Sequence, residues 1–583
     1  EGVRRAKRGE GHLGEGPPLR VKNSGRIREF HDGSGLCSPG RWKPDMRKKL
    51  PRRRNKEEAP LSGDLVELCK LEMRSYVTSM DYKGIITALA AGRCVESPFH
   101  MDLVRKVRLS MARLVESQTA KSMLGHCEPE PGQPLLLTLT GNLLKIFGDP
   151  DWRIYCEGKE SFIEGVNVGV EKRLPRTPAV YERKTRWHHY SEDLESGVPQ
   201  CKSNYVSAKD HIEAIEKQFR QEEEEHLMKE VSDEWAEREY GDRLRKAGLA
   251  AIEKTDDTFR VIHDGTNGVL VNPRIKPRDQ ARSPGIGEGR KIQELNEEKK
   301  LKVFALKGDV SKAHRRTKVR KRDHGYQACQ LKKGTVWLNL VGTFGIGSAA
   351  YWWSRLISGP NRIVLYLVQN LWFWQLIYAD DYQWCAGGEE PLTTIVMAVL
   401  VLVALGVPFS WKKFKGGTQM DWVGYWMDFA RFEIGISESR AAWIIKWCED
   451  RLREEAIYLK HFREALGRLG FATGALEHLR PFLGPMFAWS SVIPPTSYVK
   501  TPVLIAILIK YIMEELRSGR RVFFCGLSGP YKEAFRTDAK AEGDSVGVGG
   551  WETRGGLPCI EARWFWIKLT KKNAPWVFEG GEP

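Results

Sequence analysis

The sequence predicts a chain that mixes helices and strands, and three features support this. Apolar residues recur at helical spacing between residues 61 and 125. Apolar and aromatic runs flank a tight turn at Asp380 and Asp381, which indicates strand, turn and strand. The most apolar run, residues 393–407, is too short to cross a membrane and predicts a buried helix. Hydrophobic residues are 41% of the chain, enough to bury sizeable cores.

The charge balance favours a polyanionic partner. The net charge is +17 and the sequence pI is about 9.2. Residues 1–60 carry 17 Lys and Arg against 8 Asp and Glu, so +9 of the net charge lies in that segment. A basic chain of this kind is typical of nucleic-acid binding. The length predicts about three or four domains.

The cysteines indicate the compartment. All eleven are scattered, without a Cys-x-x-Cys pair or a Cys/His cluster. This argues against a zinc module and a disulfide framework, so we expect no disulfide partner and a reducing environment inside the cell, nuclear or cytoplasmic. The charged, glycine-rich N-terminus predicts no signal peptide, and we expect no membrane span.

The first 248 residues divide into three segments to which the sequence assigns no chemistry. Residues 1–60 are poor in large apolar side chains and predict a disordered basic tail. Residues 61–208 predict a mostly helical region of unknown role. Residues 209–248 predict one charged linker helix, with a loose apolar stripe and Glu222–Glu225 on its exposed side.

The two carboxylates at the predicted hairpin tip, Asp380 and Asp381, form the first candidate site. Like charges this close repel, and burial adds a desolvation cost, so a hard divalent cation would stabilise the pair. The alternative is an exposed turn that needs no metal. Asp309 ends an apolar strand and is either a helix N-cap or a third carboxylate of the same site.

Two further stretches carry candidate ligand contacts. Lys254 and Arg260 flank a predicted hairpin turn and are suited to phosphate oxygens, although such residues are often only solvated. Residues 335–357 break from a strand into a glycine-rich bend. Glycine lets a backbone approach a ligand closely, and the alternative is a tight strand-to-helix turn. Residues 440–520 predict mostly helix, and sheet signals return from 521 onward.

The order and spacing of these blocks resemble the polymerase domain of reverse transcriptases. They are most similar to retroelement enzymes in which an RNase H domain follows the polymerase. The resemblance implies an α+β right-hand polymerase fold, with fingers and a ferredoxin-like palm over 249–440 and a thumb or connection over 441–520. Residues 521–583 resemble the start of an RNase H-like α/β domain.

The resemblance implies roles at a catalytic centre. Asp309, Asp380 and Asp381 match the aspartates that hold two Mg²⁺ ions in the family, with Mn²⁺ as a substitute. Val310 would offer its backbone carbonyl to one ion. Lys412 matches a lysine proposed to protonate the leaving pyrophosphate.

The resemblance also implies contacts to nucleotide and primer. Arg260 matches the arginine that contacts the incoming triphosphate, and Lys254 lies one residue from the place of its companion lysine. Phe344 and Gly345 match the bend that packs on nucleotide and template. Four consecutive residues match the primer grip: Trp422, Val423, Gly424 and Tyr425.

Some positions depart from the family pattern. His314 stands where the family has a Tyr or Phe that excludes the ribose 2′-hydroxyl, and it could either clash with that group or accept its hydrogen bond. Thr343 replaces a proline before the bend. Asp538 matches the first metal carboxylate of an RNase H site, but the family's glutamate helix is not reached, so we expect no RNase H activity from this chain.

The resemblance therefore implies an RNA-directed DNA polymerase of a retrotransposon-like element. This nucleotidyltransferase would extend a primer on an RNA or DNA template with deoxynucleoside triphosphates. Two alternatives stay open. One is an RNA-templated RNA polymerase, which His314 favours. The other is an inactive or domesticated retroelement relic that binds nucleic acid without synthesis.

Overall fold

The computed structural model describes residues 63–178, 181–184, 201–254, 259–525, 535–542, 545–552, 564–572 and 578. The chain forms two compact units. The described residues of the larger unit lie between 63 and 525, and those of the smaller unit lie from 535 onward. The predicted basic tail, residues 1–60, lies outside the described residues. Helices and strands both occur throughout the larger unit, as the sequence predicts.

The longer helices and the strands of the described residues are as follows. The helices are α1 (Gly63–Thr78), α2 (Tyr82–Ala90), α3 (Met101–Gln118), α4 (Leu137–Ile146), α5 (Ile212–Glu224), α6 (Asp233–Tyr240), α7 (Ile286–Glu298), α8 (Ala349–Leu367), α9 (Pro391–Ala404), α10 (Glu438–Arg453), α11 (Leu459–Ala472), α12 (Arg480–Ser491) and α13 (Val503–Arg517). The strands are β1 (Glu182–Arg183), β2 (Met228–Ser232), β3 (Lys246–Ala247), β4 (Leu249–Glu253), β5 (Phe259–His263), β6 (Asp279–Gln280), β7 (Val303–Asp309), β8 (Ala328–Cys329), β9 (Thr335–Asn339), β10 (Phe373–Tyr378), β11 (Asp381–Gly387), β12 (Lys415–Gly417), β13 (Gln419–Trp422), β14 (Tyr425–Asp428), β15 (Glu433–Ile436), β16 (Ile457–Tyr458), β17 (Tyr498–Val499), β18 (Val522–Phe524), β19 (Phe535–Glu542), β20 (Ser545–Glu552) and β21 (Trp564–Leu569).

A four-stranded antiparallel sheet carries the candidate site. Its strand order is β10–β11–β7–β12, and we call it the central sheet. Successive side chains of a strand point to opposite faces of the sheet, so the two faces of β11 contribute to two different hydrophobic cores. Tyr382, Trp384 and Ala386 are buried in one core. Cys385, which lies between Trp384 and Ala386, is buried in the other. Both faces of β11 are therefore covered, which explains its almost continuous apolar and aromatic run.

Helix α9 is the buried helix that the sequence predicts at 393–407. It is apolar on nearly every side because α1, α2 and α3 pack along it opposite the central sheet. Buried residues between 66 and 174 consequently share one core with β7, α8, α9 and Tyr326, which lies in the 3₁₀ segment just before β8. The sequence assigned residues 61–208 no role, and the structure shows that the described helices of this region complete the core around the candidate site. Among the described residues, no helix combines the length and apolarity that crossing a membrane requires.

Two ion pairs fix helix α8 to the loop after α4. Arg355 donates through Nε and Nη2 to the two carboxylate oxygens of Asp151, at 2.9 and 2.6 Å. Arg362 donates to Asp149 in the same two-pronged way, at 2.6 and 3.0 Å. Both carboxylates are buried, so losing either partner would leave a buried charge uncompensated. These pairs hold α8 in one position.

A proline inside α8 creates a third anchor. Pro360 has no N–H, so the carbonyl of Leu356 lacks its usual helical donor. The Tyr155 hydroxyl lies 2.8 Å from that carbonyl and 2.7 Å from the carbonyl of Arg355, and it donates its one proton there. Gly359 lets the Tyr155 ring approach, because a Cβ at that position would overlap the ring.

The predicted helix over 209–248 is wrong as one element. The structure has α5, then strand β2, then α6. The chain leaves α5 at His226, which has a positive φ of 58°, and β2 pairs antiparallel with β9. The apolar residues that the sequence assigned to a helix stripe belong partly to this strand. Glu222 is buried against Arg315 rather than exposed.

The boundary predicted at 521 is also displaced. Strand β18 pairs with β15 in a second antiparallel sheet of the larger unit, of order β13–β14–β15–β18. This sheet and helices α7 and α10 to α13 form the second core. In the smaller unit, the described residues form an antiparallel sheet of order β19–β20–β21.

The α8 anchor predicts opposite effects for two glycine substitutions. Gly359→Ala should lower the free energy of unfolding by about 1–3 kcal/mol, because the added methyl overlaps Tyr155. Gly467→Ala, at an exposed position of α11 with open space around it, should raise it by about 0.5–1 kcal/mol. Urea unfolding of both variants measures the two changes in free energy. Equal changes would contradict the close packing of Tyr155 against Gly359.

Candidate active site

Three carboxylates meet at one end of the central sheet. Asp309 ends β7 and Asp381 begins β11, and the antiparallel register places them directly opposite each other. Asp380 lies beside them in the turn Ala379–Asp380, which joins β10 to β11. The N–H of Val310 donates to the carbonyl of Asp380 at 3.0 Å. Strand pairing thus unites the carboxylates that the sequence singled out.

Burial and mutual repulsion raise the pKa of two of these carboxyls. Burial is the main cause for Asp381, followed by the charges of Asp380 and Asp309, and its pKa rises to about 6. The pKa of Asp380 is raised by burial and then by Asp309. Lys413 opposes both shifts, and its ammonium lies 2.8 Å from an Asp309 oxygen. One ammonium leaves the cluster with excess negative charge.

The donor chemistry of this cluster fits a hard divalent cation. Carboxylate oxygens are the ligands that Mg²⁺ and Mn²⁺ prefer, and the raised pKa values reflect charge that a cation would neutralise. No group of three side chains in the described part of the chain already has metal-ligand spacing. Asp309, Asp380 and Asp381 would hold the cation once the Lys413 ammonium leaves Asp309 and the side chains reorient.

Lys413, the neighbour of the predicted Lys412, reaches the carboxylates. The role of Lys412 at the leaving pyrophosphate stays a prediction. The two lysines follow each other in the short 3₁₀ turn Trp411–Lys413, and the side chain of Lys412 is exposed. Trp411 stacks on Phe414 with ring centroids 5.1 Å apart, which fixes the turn against the core. The phase of this turn directs Lys413 to Asp309, a contact that the sequence does not show.

The residues predicted to contact the nucleotide form a cluster beside the carboxylates. The Arg260 guanidinium lies 6.0 Å from the centroid of the Phe344 ring, and His314 meets that ring edge-on at 4.9 Å. Phe344 is 40% exposed, so this cluster opens to solvent. Burial lowers the pKa of His314, and the nearby charge of Asp380 partly offsets this. His314 therefore links the ring cluster to the Ala379–Asp380 turn.

Gly345 is required by packing within the bend. Its φ is +101°, and a Cβ there would overlap the carbonyl oxygen of His263 on β5. The N–H of His263 in turn donates to the carbonyl of Phe344 at 3.1 Å. The bend is thus locked to the β4–β5 hairpin, which favours the tight-turn interpretation of Gly345 over direct ligand approach.

The predicted hairpin around Lys254 and Arg260 is confirmed as the β4–β5 pair. Lys254 follows the end of β4, and Arg260 lies on β5 with its side chain exposed. Residues 255–258, the predicted turn itself, lie outside the described residues. Both cations therefore belong to one hairpin, and Arg260 is the one seen against Phe344.

The predicted primer-grip residues form the β13–β14 turn. Val423 and Gly424 have positive φ values of 48° and 80°, as mirror-image two-residue hairpin turns require. Trp422 and Tyr425 on either side are buried, and the Tyr425 ring stacks on Phe471 with centroids 4.5 Å apart. Aromatic side chains below the turn therefore hold its tip in place.

Lys307 ties this turn to the central sheet. Its ammonium donates to the carbonyl of Asp421 on β13 at 2.6 Å. Burial lowers the pKa of Lys307, while the charges of Asp421 and Asp381 act in the opposite direction. Sequence reasoning missed Lys307 because a lysine in an apolar strand carries no signal of its partner more than a hundred residues away.

Asp538 lies on β19, where it pairs in register with Gly549. Its side chain is exposed, and one oxygen accepts a hydrogen bond from the Ala539 N–H at 3.0 Å. The predicted strand and glycine-rich partner are therefore present. The role of Asp538 in an RNase H-like site stays a prediction.

Comparison with known proteins gives distant structural similarity. No protein-family model and no curated protein sequence matches the chain. The foamy viral protease-reverse transcriptase dRH in complex with ds DNA is similar at TM-score 0.44 and 14% identity, over 66% of this chain and 61% of that one. The foamy viral enzyme with an RNA/DNA hybrid is similar at TM-score 0.42 and 13% identity, over 68% and 48% of the two chains. The chain thus spans about three fifths of the first protein and half of the second.

The raised pKa of Asp381 predicts that Asp381→Asn stabilises the metal-free protein. A folded pKa near 6 lies above the ordinary value of 3.8, so the folded state binds this proton more tightly than the unfolded state. Stability is therefore lost as pH rises from about 4 through 6. The variant should gain roughly 1–2 kcal/mol at pH 7.5, after allowance for solvent screening, and little at pH 4.

Thermal unfolding in EDTA at the two pH values measures this gain. Glu96→Gln, which neutralises an exposed carboxylate in a loop, is the matched control and should change neither value. A gain for Asp381→Asn that is the same at pH 4 and pH 7.5 would show that charge repulsion is not its cause.

Proposed function

We propose that this chain is an RNA-directed DNA polymerase of a retrotransposon-like element, which extends a primer by nucleotidyl transfer. The carrying observation is the β7–β11 register. It sets Asp309 opposite Asp381, with Asp380 in the adjoining turn, and these are the carboxylates that the sequence resemblance assigns to catalysis. Phosphoryl transfer needs positioning and charge neutralisation more than covalent chemistry by the protein.

The arrangement supports separate tasks for the residues around the carboxylates. Bound at these aspartates, two Mg²⁺ or Mn²⁺ ions would lower the pKa of the primer 3′-hydroxyl and neutralise the pyrophosphate. Arg260 offers a planar guanidinium to the triphosphate beside the exposed Phe344 ring. Lys413 carries an ammonium that can pass from Asp309 to a phosphate oxygen.

The β13–β14 turn is suited to holding the primer end. Lys307 fixes this hairpin to the central sheet at Asp421, so its tip keeps a constant position relative to the carboxylates. The net charge of +17 suits a template and primer bound mainly through their backbones. Template pairing supplies the sequence information, so few base-specific contacts are needed.

Primer extension tests this proposal. The wild-type chain, with Mg²⁺, deoxynucleotides and a primer on an RNA template, should extend the primer. Asp309→Asn and Asp380→Asn should each lower the rate by at least about a thousandfold. Each substitution removes a charged ligand of the divalent cations that would neutralise the phosphoryl group during transfer. Glu96→Gln controls for loss of one carboxylate and should extend at the wild-type rate.

Two outcomes would contradict the proposal. Extension that survives both substitutions would mean that the three carboxylates are not the metal site. No extension by a folded wild-type chain that still binds primer and template would favour a retroelement relic that binds nucleic acid without synthesis.

A second candidate, an RNA-templated RNA polymerase, is favoured by His314. Its imidazole stands where the family that the sequence resembles has an aromatic ring that excludes the 2′-hydroxyl. The imidazole packs against Phe344 at the opening of the site. Incorporation of ribonucleotides against deoxyribonucleotides separates the two candidates. The DNA polymerase proposal requires the wild-type chain to prefer deoxyribonucleotides.

The position of His314 predicts that its bulk sets this preference. His314→Ala should raise ribonucleotide incorporation relative to deoxyribonucleotide by roughly tenfold to a hundredfold, since space for the 2′-hydroxyl opens beside Phe344. His314→Phe keeps the bulk and should leave the ratio near that of the wild type. Competition between the two substrates in primer extension measures the ratio. If His314→Ala leaves the ratio unchanged, His314 is not the sugar gate.

A further inference from the structure

Helix α8 is hydrogen-bonded at two points to the segment 379–382, which carries Asp380 and Asp381 and is called here the catalytic turn. The indole Nε1–H of Trp353 donates to the carbonyl of Ala379 at 2.8 Å. The side-chain amide of Asn361 donates to the hydroxyl of Tyr382 at 2.7 Å. Ala379 and Tyr382 immediately flank Asp380 and Asp381. Three side chains, those of Trp353, Asn361 and Tyr382, and the carbonyl of Ala379 therefore link α8 to the residues on either side of the two aspartates.

The backbone of the turn needs such support. Ala379 has a φ of +55°, a left-handed conformation that a residue with a Cβ adopts at an energetic cost. Its carbonyl is held by Trp353, and the next carbonyl, that of Asp380, is held by the Val310 N–H. Each carbonyl of the turn thus has its own fixed donor, one from α8 and one from the residue after Asp309.

Helix α8 can act as a support because it is itself fixed. Arg355 and Arg362 are bound to buried Asp151 and Asp149, and the Tyr155 hydroxyl lies at the Leu356 carbonyl, which Pro360 leaves without its helical donor. These partners belong to the N-terminal region for which the sequence suggested no role. A path of packed and hydrogen-bonded groups therefore runs from residues 149–155 through α8 to the catalytic turn.

We infer that Trp353 is a positioning residue, which holds the Ala379–Asp380 turn so that the carboxylates keep their place for nucleotidyl transfer. The inference rests on the proposed function for its kinetic consequence and on the structure alone for its conformational one. Trp353 contacts no reacting group. It acts through the backbone of the turn, so its loss should slow the chemical step without weakening substrate binding.

The neighbouring residue provides a matched control. Trp352 is also buried on α8, and its Nε1–H donates to a backbone carbonyl, that of Asn167, at 2.7 Å. Trp352→Phe and Trp353→Phe each delete one buried indole hydrogen bond of the same kind and keep an aromatic ring. A merely structural role would therefore give the two variants the same effects.

The test measures amide exchange and kinetics on the full-length chain. In Trp353→Phe, deuterium exchange of peptides that cover residues 376–384 should be roughly fivefold to tenfold faster than in the wild type, and unchanged in Trp352→Phe. In primer extension, Trp353→Phe should lower kcat by roughly fivefold to tenfold with KM for the deoxynucleotide unchanged. Trp352→Phe should keep the wild-type kcat.

Tyr382→Phe gives a second variant, because it removes the other bond to α8 while Asn361 keeps its bond to the Ile357 carbonyl. It should also speed exchange in the turn. Equal exchange and equal kcat in Trp352→Phe and Trp353→Phe would overturn the inference. A wild-type chain that extends no primer would overturn the proposed function instead, and the exchange comparison would still decide whether Trp353 holds the turn.

Discussion

The pairing of β7 with β11 is the interaction on which the site depends. Its register places Asp309 against Asp381 and leaves Asp380 in the turn, so three carboxylates share one end of a sheet whose interior is hydrophobic. The raised pKa of Asp381, about 6, reflects the free energy that this arrangement costs without a cation. Backbone hydrogen bonds and two cores hold the strands in register against that repulsion. Such local destabilisation is common where charge must meet a ligand.

The surrounding structure is arranged to bear this cost. Helix α9 covers the back of the central sheet, and the N-terminal helices cover α9 in turn. Helix α8 bonds to the turn and is anchored by the ion pair of Arg355 with Asp151. Residues 63–178 thus contribute to the candidate site through the core and through the anchoring of α8. The core packed on the central sheet therefore stabilises a fold that must also carry the repulsion between the three carboxylates.

The sequence predicted the local hairpins better than it predicted the boundaries of the longer segments. Hairpins are local, and turn residues between alternating apolar runs identify them, so the turns at Asp380 and Gly424 and the β4–β5 pair could be predicted. Strand β2 could not, because its apolar residues suit a helix stripe and its partner β9 lies about a hundred residues away. The contact of Lys413 with Asp309 depends on the phase of one 3₁₀ turn, which the sequence does not show. The role of Trp353 could not be predicted, since nothing in the sequence shows which carbonyl its indole reaches.

Direct Mn²⁺ binding tests most simply whether Asp309, Asp380 and Asp381 form the proposed divalent-cation site. The metal-free full-length chain would be titrated with Mn²⁺ and free ion followed by electron paramagnetic resonance, beside Asp309→Asn, Asp381→Asn and the Glu96→Gln control. The account predicts that the wild type and the control bind Mn²⁺ alike and that each aspartate variant binds at least about tenfold more weakly. Equal binding by all four chains, or none by the wild type, would contradict it.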